Sequence, residues 1–134
     1  MSDRVSAAFE RSIGDENSGW HEYNLQVAAE VLSEFSTLDW GNLRAVVLSK
    51  PAYWQERCAE SVGCIESDES VRTLIILLGS PYKSVSGIVA SELDNLSVQL
   101  PRVFEHVLRE LLTHLEASKS PRSADVQRLI NHLR

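Results

Sequence analysis

Tyr53, Glu56 and Glu60 stand at i, i+3 and i+7, a spacing that brings side chains to one face of a helix. An aromatic ring beside two carboxylates can receive the Arg or Lys side chains of another protein. Thirty-one residues further on, the equivalent positions are Ser84, Gly87 and Ser91, followed by Asp94 and Asn95. Together they predict a strip of one aromatic, small residues and carboxylates that forms the core of a protein interface. Glu66, Asp68 and Glu69 gather around one turn and would extend it, although Asp68 and Glu69 also suit the first turn of a helix. Tyr82 follows the Ser80-Pro81 turn and would lie at the edge of the strip, with Lys83. The plain alternative for each of these residues is an ordinary solvated face.

Chemistry of other kinds finds little support. His106, Glu110 and His114 fall at i, i+4 and i+8 and share a helix face that could hold a metal, but Arg102 and Arg109 crowd it with positive charge. His21-Glu22 lacks the second histidine of a zinc-protease helix. There is no glycine-rich phosphate loop, no Cys-x-x-Cys pair and no Gly-x-Ser-x-Gly nucleophile elbow. Catalytic triads can be discontinuous, so missing motifs weigh against an enzyme without excluding one. The expectation is a protein with no catalytic residues, no metal and no cofactor.

The chain has 134 residues, 43% hydrophobic and 24% charged, with a net charge of −6. That length suits one domain with a sizeable core. Charge is unevenly spread: residues 1–99 carry 15 acids and 7 bases, while residues 100–134 carry 4 acids and 6 bases. An acidic body disfavours nucleic acid and suits a basic protein partner. No apolar run approaches the roughly 20 residues needed to cross a bilayer, and Met1-Ser2-Asp3-Arg4 does not begin a secretory signal. Cys58 and Cys64, the two cysteines, read as reduced thiols, and the expected location is the cytoplasm.

The elements that position the strip are helices. Asn42–Ile65 and Thr73–Leu96 run in register, with Leu43 matching Leu74, Ala59 matching Ala90, Val62 matching Leu93 and Ile65 matching Leu96. Self-similarity at this period marks stacked helix pairs too small to bury an apolar face alone. Trp20–Ser36 has the i, i+3, i+4 apolar pattern of an amphipathic helix, and Asp39 is expected to cap the next. Pro51 suits the first turn of a helix that stops at Gly63, and Ser67 caps the helix containing Val71–Leu78. Pro81 opens a helix through Leu96. Leu100–Ala117 is expected as one long helix with an apolar stripe from Leu100 through Val103, Val107 and Leu111 to Leu115. If its leucines were exposed in a monomer, a homodimer would follow; otherwise the oligomeric state is open. The fold class expected is all-α, a short right-handed stack of antiparallel hairpins with seven or eight helices. Its parts are an N-terminal helical cap (1–36), two repeat units (39–96) and a terminal hairpin (100–134).

From Tyr53 through Gly63, and on through Ser67 to Val71, the chain resembles HEAT-type helical repeats. Arg57, Ala59, Gly63, Leu74, Leu77 and Leu78 occupy places comparable to that family's Arg, Ala, closing Gly and Leu-rich helix. Its size, acidity and helical architecture also resemble bacterial immunity proteins. That resemblance implies a protein that binds a cognate toxin domain, often a basic nuclease, and blocks its active surface. A general protein-interaction adaptor or regulatory subunit is the alternative.

Overall fold

The computed structural model describes residues 2–134. Among these residues there are eight α-helices and no strand: α1 (Ser2–Ile13), α2 (Glu22–Leu32), α3 (Thr37–Val46), α4 (Ala52–Val62), α5 (Asp68–Leu78), α6 (Lys83–Asn95), α7 (Glu105–Ala117) and α8 (Ser123–Asn131). Short 3-10 turns occupy Val47–Ser49 and Arg102–Phe104.

The 31-residue register is present in three dimensions. The bounds of α4 and α6 both begin at equivalent positions (52 and 83), as do those of α3 and α5 (37 and 68). Trp54, Cys58, Ala59 and Val62 of α4 are buried, and so are Val85, Val89, Ala90 and Leu93 at the same places in α6. The helix starts repeat as well. The Ser36 hydroxyl accepts the Asp39 N–H at 3.2 Å, and the Asp39 carboxylate accepts the Ser36 N–H at 2.9 Å. Thirty-one residues on, Ser67 and Ser70 exchange the same pair of bonds at 3.1 and 3.2 Å. Each pair satisfies two helix-end donors reciprocally. Asp39 is therefore the third helical residue and not the cap, which is Ser36. Ser67→Ala is expected to cost about 1 kcal/mol, read as a lowered denaturant midpoint at unchanged slope; Ser36→Ala should do the same.

Helices pack in two layers. One contains α1, α3 and α5 as successive neighbours; the other contains α2, α4, α6 and α8. Within hairpins, α1 packs on α2, α5 on α6, and α7 on α8. An edge-on aromatic chain closes the N-terminal end: Phe9 lies 5.8 Å from both Phe35 and Trp54, and Phe35 lies 5.4 Å from Trp40. Such rings add about 0.5–1.5 kcal/mol per pair beyond the area they bury.

Three boundaries differ from the sequence expectation. The helix expected over Trp20–Ser36 is limited to Glu22–Leu32, with Trp20 ahead of it. Pro81 precedes α6 by one residue more than expected, and Tyr82 takes the cap position. The long helix expected from Leu100 begins at Glu105, because Pro101 keeps Leu100 out of helical geometry. Leu100 is nevertheless buried, whereas Val103 and Val107 are 81% and 41% exposed, so neither belongs to the apolar stripe. Leu108, Leu111, Leu112 and Leu115 are all buried within the single chain, so they leave no leucine face for a second copy.

Candidate interaction surface

The site is organised by Arg57, which is 9% exposed on α4. Its guanidinium donates to the carbonyls of Ile13 at 2.8 Å, Asp15 at 2.9 Å and Ser18 at 2.9 Å. Ile13 ends α1, where unpaired carbonyls and the helix dipole favour a cation. The loop it grips is preorganised. Gly14 adopts φ +73°, and a Cβ there would meet the Ser18 hydroxyl at 2.3 Å, so glycine is required both for the turn and for the close approach. The Asp15 carboxylate accepts the Asn17 and Ser18 N–H groups. Arg57 also lies 5.1 Å from the Tyr53 ring and 5.5 Å from the Trp20 ring. Trp20 in turn donates its indole N–H to Glu60 at 3.0 Å.

Tyr53 and Glu60 are thus held by the N-terminal hairpin, half-buried and fixed in place. Glu56 accepts the Ser84 hydroxyl at 2.8 Å, which ties α4 to α6. A third carboxylate, Glu92 of α6, lies against Gly63, where a Cβ would come within 2.5 Å of the Glu92 side chain. None of Glu56, Glu60 and Glu92 has a Lys or Arg within ion-pair distance among the described residues. The α4–α6 seam is therefore a ridge of carboxylates that are positioned but not neutralised.

Burial pushes the Glu92 carboxyl above its ordinary range. Glu60 pushes it the same way, while a hydrogen bond with Asn95 and the charge of Arg122 oppose the shift. A carboxyl raised on folding imposes no penalty below its unfolded pKa; the penalty grows as pH rises from there and is complete above the folded pKa. Glu92→Gln should therefore stabilise the protein at neutral pH, by under about 1 kcal/mol because the group is still partly wet. The gain should vanish near pH 4, as followed by thermal melts across that range.

The other predicted residues separate into two groups. Glu66, Asp68, Tyr82 and Asn95 are exposed. Glu69 is taken up by Arg44 at 3.1 Å, Ser91 is buried and donates to Asp125 at 2.6 Å, and Asp94 pairs with Arg128 at 3.0 Å. Arg128 also pairs with Asp125. The strip foreseen on α6 is therefore neutralised toward α8, and the acids left unpaired on the seam are Glu56 and Glu60 of α4 with Glu92 of α6. Glu92, Arg57 and Trp20 belong to the site without having been singled out for it. Glu92 carries no motif, but it falls 31 residues after the buried Ser61, which marks its stem as a seam position.

Reactive groups elsewhere are subdued. His106 contacts Glu110 at 2.9 Å on an exposed face, and no group of three or more His, Cys, Asp or Glu among the described residues is arranged to hold a metal. Burial pushes the Cys58 thiol far up. Burial and then Glu92 and Glu60 push Cys64 up, so neither thiol is an activated nucleophile at neutral pH. Among the described residues no helix is long and apolar enough to cross a membrane.

Fold and site together define an all-helical protein of stacked hairpins with a carboxylate ridge on one layer. Comparison with protein families, curated proteins and solved structures finds nothing that matches this chain.

Proposed function

We propose that the chain is a non-catalytic binding protein that docks a basic protein domain on the α4–α6 ridge. In our reading that domain is a bacterial toxin, which the chain neutralises as an immunity protein by covering its active surface. The observation that carries the proposal is the ridge itself: Glu56, Glu60 and Glu92 are held by neighbouring side chains or by packing, yet left without cationic partners. Placing three carboxylates along one seam raises the negative potential there and stabilises no ion pair within the chain. A partner's Arg or Lys would relieve that potential, and complementary charge also speeds encounter and rejects wrong partners. A rigid two-layer stack suits occlusion, since little ordering entropy is lost when the surface is already fixed.

The experiment is to sequence the gene's neighbourhood for a large protein with a toxic C-terminal domain and to co-express the chain with that domain. Protection of the cells together with stable co-purification supports immunity. Co-purification without protection would leave a binding adaptor, and the absence of both would remove the proposal.

A further inference from the structure

A second cleft, of about 320 Å³, lies where α6, the end of α7 and the start of α8 meet. Its lining includes Lys83, His114, Ser120 and Arg122, and contains no Asp or Glu. In a chain of net charge −6, this is a local reversal of sign.

The placement of the two permanent cations is electrostatically unfavourable within the chain. Lys83 is the first residue of α6, and Arg122 is the N-cap of α8. Both therefore sit at the positive ends of helices, where the dipole disfavours a cation. No acid occupies the first turn of α6 to compensate. Neither cation has a carboxylate within ion-pair distance among the described residues. The acids nearby are engaged elsewhere or act at longer range. Glu56 accepts the Ser84 hydroxyl, Asp125 binds Ser91 and Arg128, and Glu92 feels the charge of Arg122 without contacting it. Asp125 in the first turn of α8 offsets Arg122 in part, but nothing of the kind offsets Lys83, and a local rule broken without compensation inside the chain is expected at a functional site.

Gly87 has no side chain, and the Arg122 Cδ and Leu115 Cδ2 lie 3.5 and 3.6 Å from where its Cβ would be, so the arginine stem packs across α6 at that point and its position is set. The Ser120 oxygen accepts the Arg122 N–H at 3.2 Å, which leaves its own O–H able to donate.

We propose that this cleft binds the phosphate of a small phosphomonoester. Such a group carries about −1.5 to −2 charge and three acceptor oxygens. That matches two cations, a hydroxyl donor and two helix N-termini, whereas a carboxylate offers one charge and two oxygens. The volume is at the small end of ligand sites, which run from about 300 Å³. The inference does not rest on the toxin reading: the cleft adjoins the ridge at Ser84, which donates to Glu56, but its own lining holds no carboxylate.

The test is titration of the intact protein with methyl phosphate, followed by amide NMR shifts. Saturable shifts at residues 82–88 and 114–123, with affinity lowered at least tenfold in Arg122→Gln and in Lys83→Gln, would support it. Lys83 is exposed, so its variant separates loss of binding from loss of fold; Arg72→Gln, on α5, should change nothing. No saturation at 10-fold the concentration of a millimolar binder (~10 mM), equal shifts in both cleft variants, or acetate binding as tightly as methyl phosphate would each overturn the assignment.

Discussion

Arg57→Met should destabilise the protein by about 1–3 kcal/mol, the cost of one buried acceptor left unsatisfied. That acceptor is the Ile13 carbonyl, which is buried and takes its bond from the guanidinium. The Asp15 and Ser18 carbonyls lose the same donor but lie in an exposed loop, and Asp15 keeps its bonds from Ser18, so they add little. Methionine preserves most of the stem's packing, so the measured loss reports the polar contacts and not a cavity. Arg57→Lys should recover only part of the loss, because an ammonium cannot present the planar fork that spans three carbonyls. Equilibrium urea unfolding measures it. The Trp20 fluorescence environment should change with the same variant, since the indole lies over the guanidinium. A midpoint within experimental error of the parent would mean that the Gly14–Gly19 loop is held by its own turn bonds and that Arg57 is incidental.

The second large effect concerns binding. Reversing charge at Glu56, Glu60 and Glu92 together should weaken the captured partner's affinity at least a hundredfold, because like charges facing one another across an interface cost several kcal/mol. The neutral triple variant, glutamine at each position, should lose at least tenfold while keeping the Trp20 and Ser84 hydrogen-bond acceptors. Affinity of the parent should fall with added salt, and the glutamine variant should lose most of that dependence. The pH response has a definite sign. A partner cation selects ionised Glu92, whose carboxyl is raised in the free protein, so binding should tighten as pH rises toward that pKa and level off above it. Calorimetric titration in buffers of different ionisation enthalpy would detect the released proton. An affinity unmoved by the charge reversal would place the interface elsewhere.

The all-helical architecture and the repeat were legible because both rest on local periodicity. Leu43 and Leu74, Ala59 and Ala90, and Val62 and Leu93 are buried as equivalent positions, and 31-residue spacing announces that without any coordinates. Helix ends were harder to place where two residues compete for one role. Ser36 and Asp39 are each good caps; the outcome depends on which carboxylate or hydroxyl can reach back, and Asp39 does so from the third position. Leu100 shows the limit of a periodic stripe. Its burial was foreseeable, but Pro101 sets the backbone that delivers it, and the Arg134 N–H closes on the Leu100 carbonyl at 3.0 Å from the far end of the chain. The candidate site was half legible. Helical spacing placed Tyr53, Glu56 and Glu60 on one face. The pairing of Asp94 with Arg128 and of Ser91 with Asp125 joins residues 34 apart on different helices, and no pattern within one helix foretells it. Arg57 matched a repeat position by type, while its bonds to a loop about forty residues earlier are a tertiary fact.

The most direct measurement of the central claim is amide chemical-shift mapping of the isotope-labelled chain, free and in complex with whatever basic domain the co-expression captures. The account predicts that the largest changes fall within residues 53–64 of α4 and its end and 84–95 of α6. Changes confined to the layer of α1, α3 and α5, with the α4–α6 seam unmoved, would contradict it.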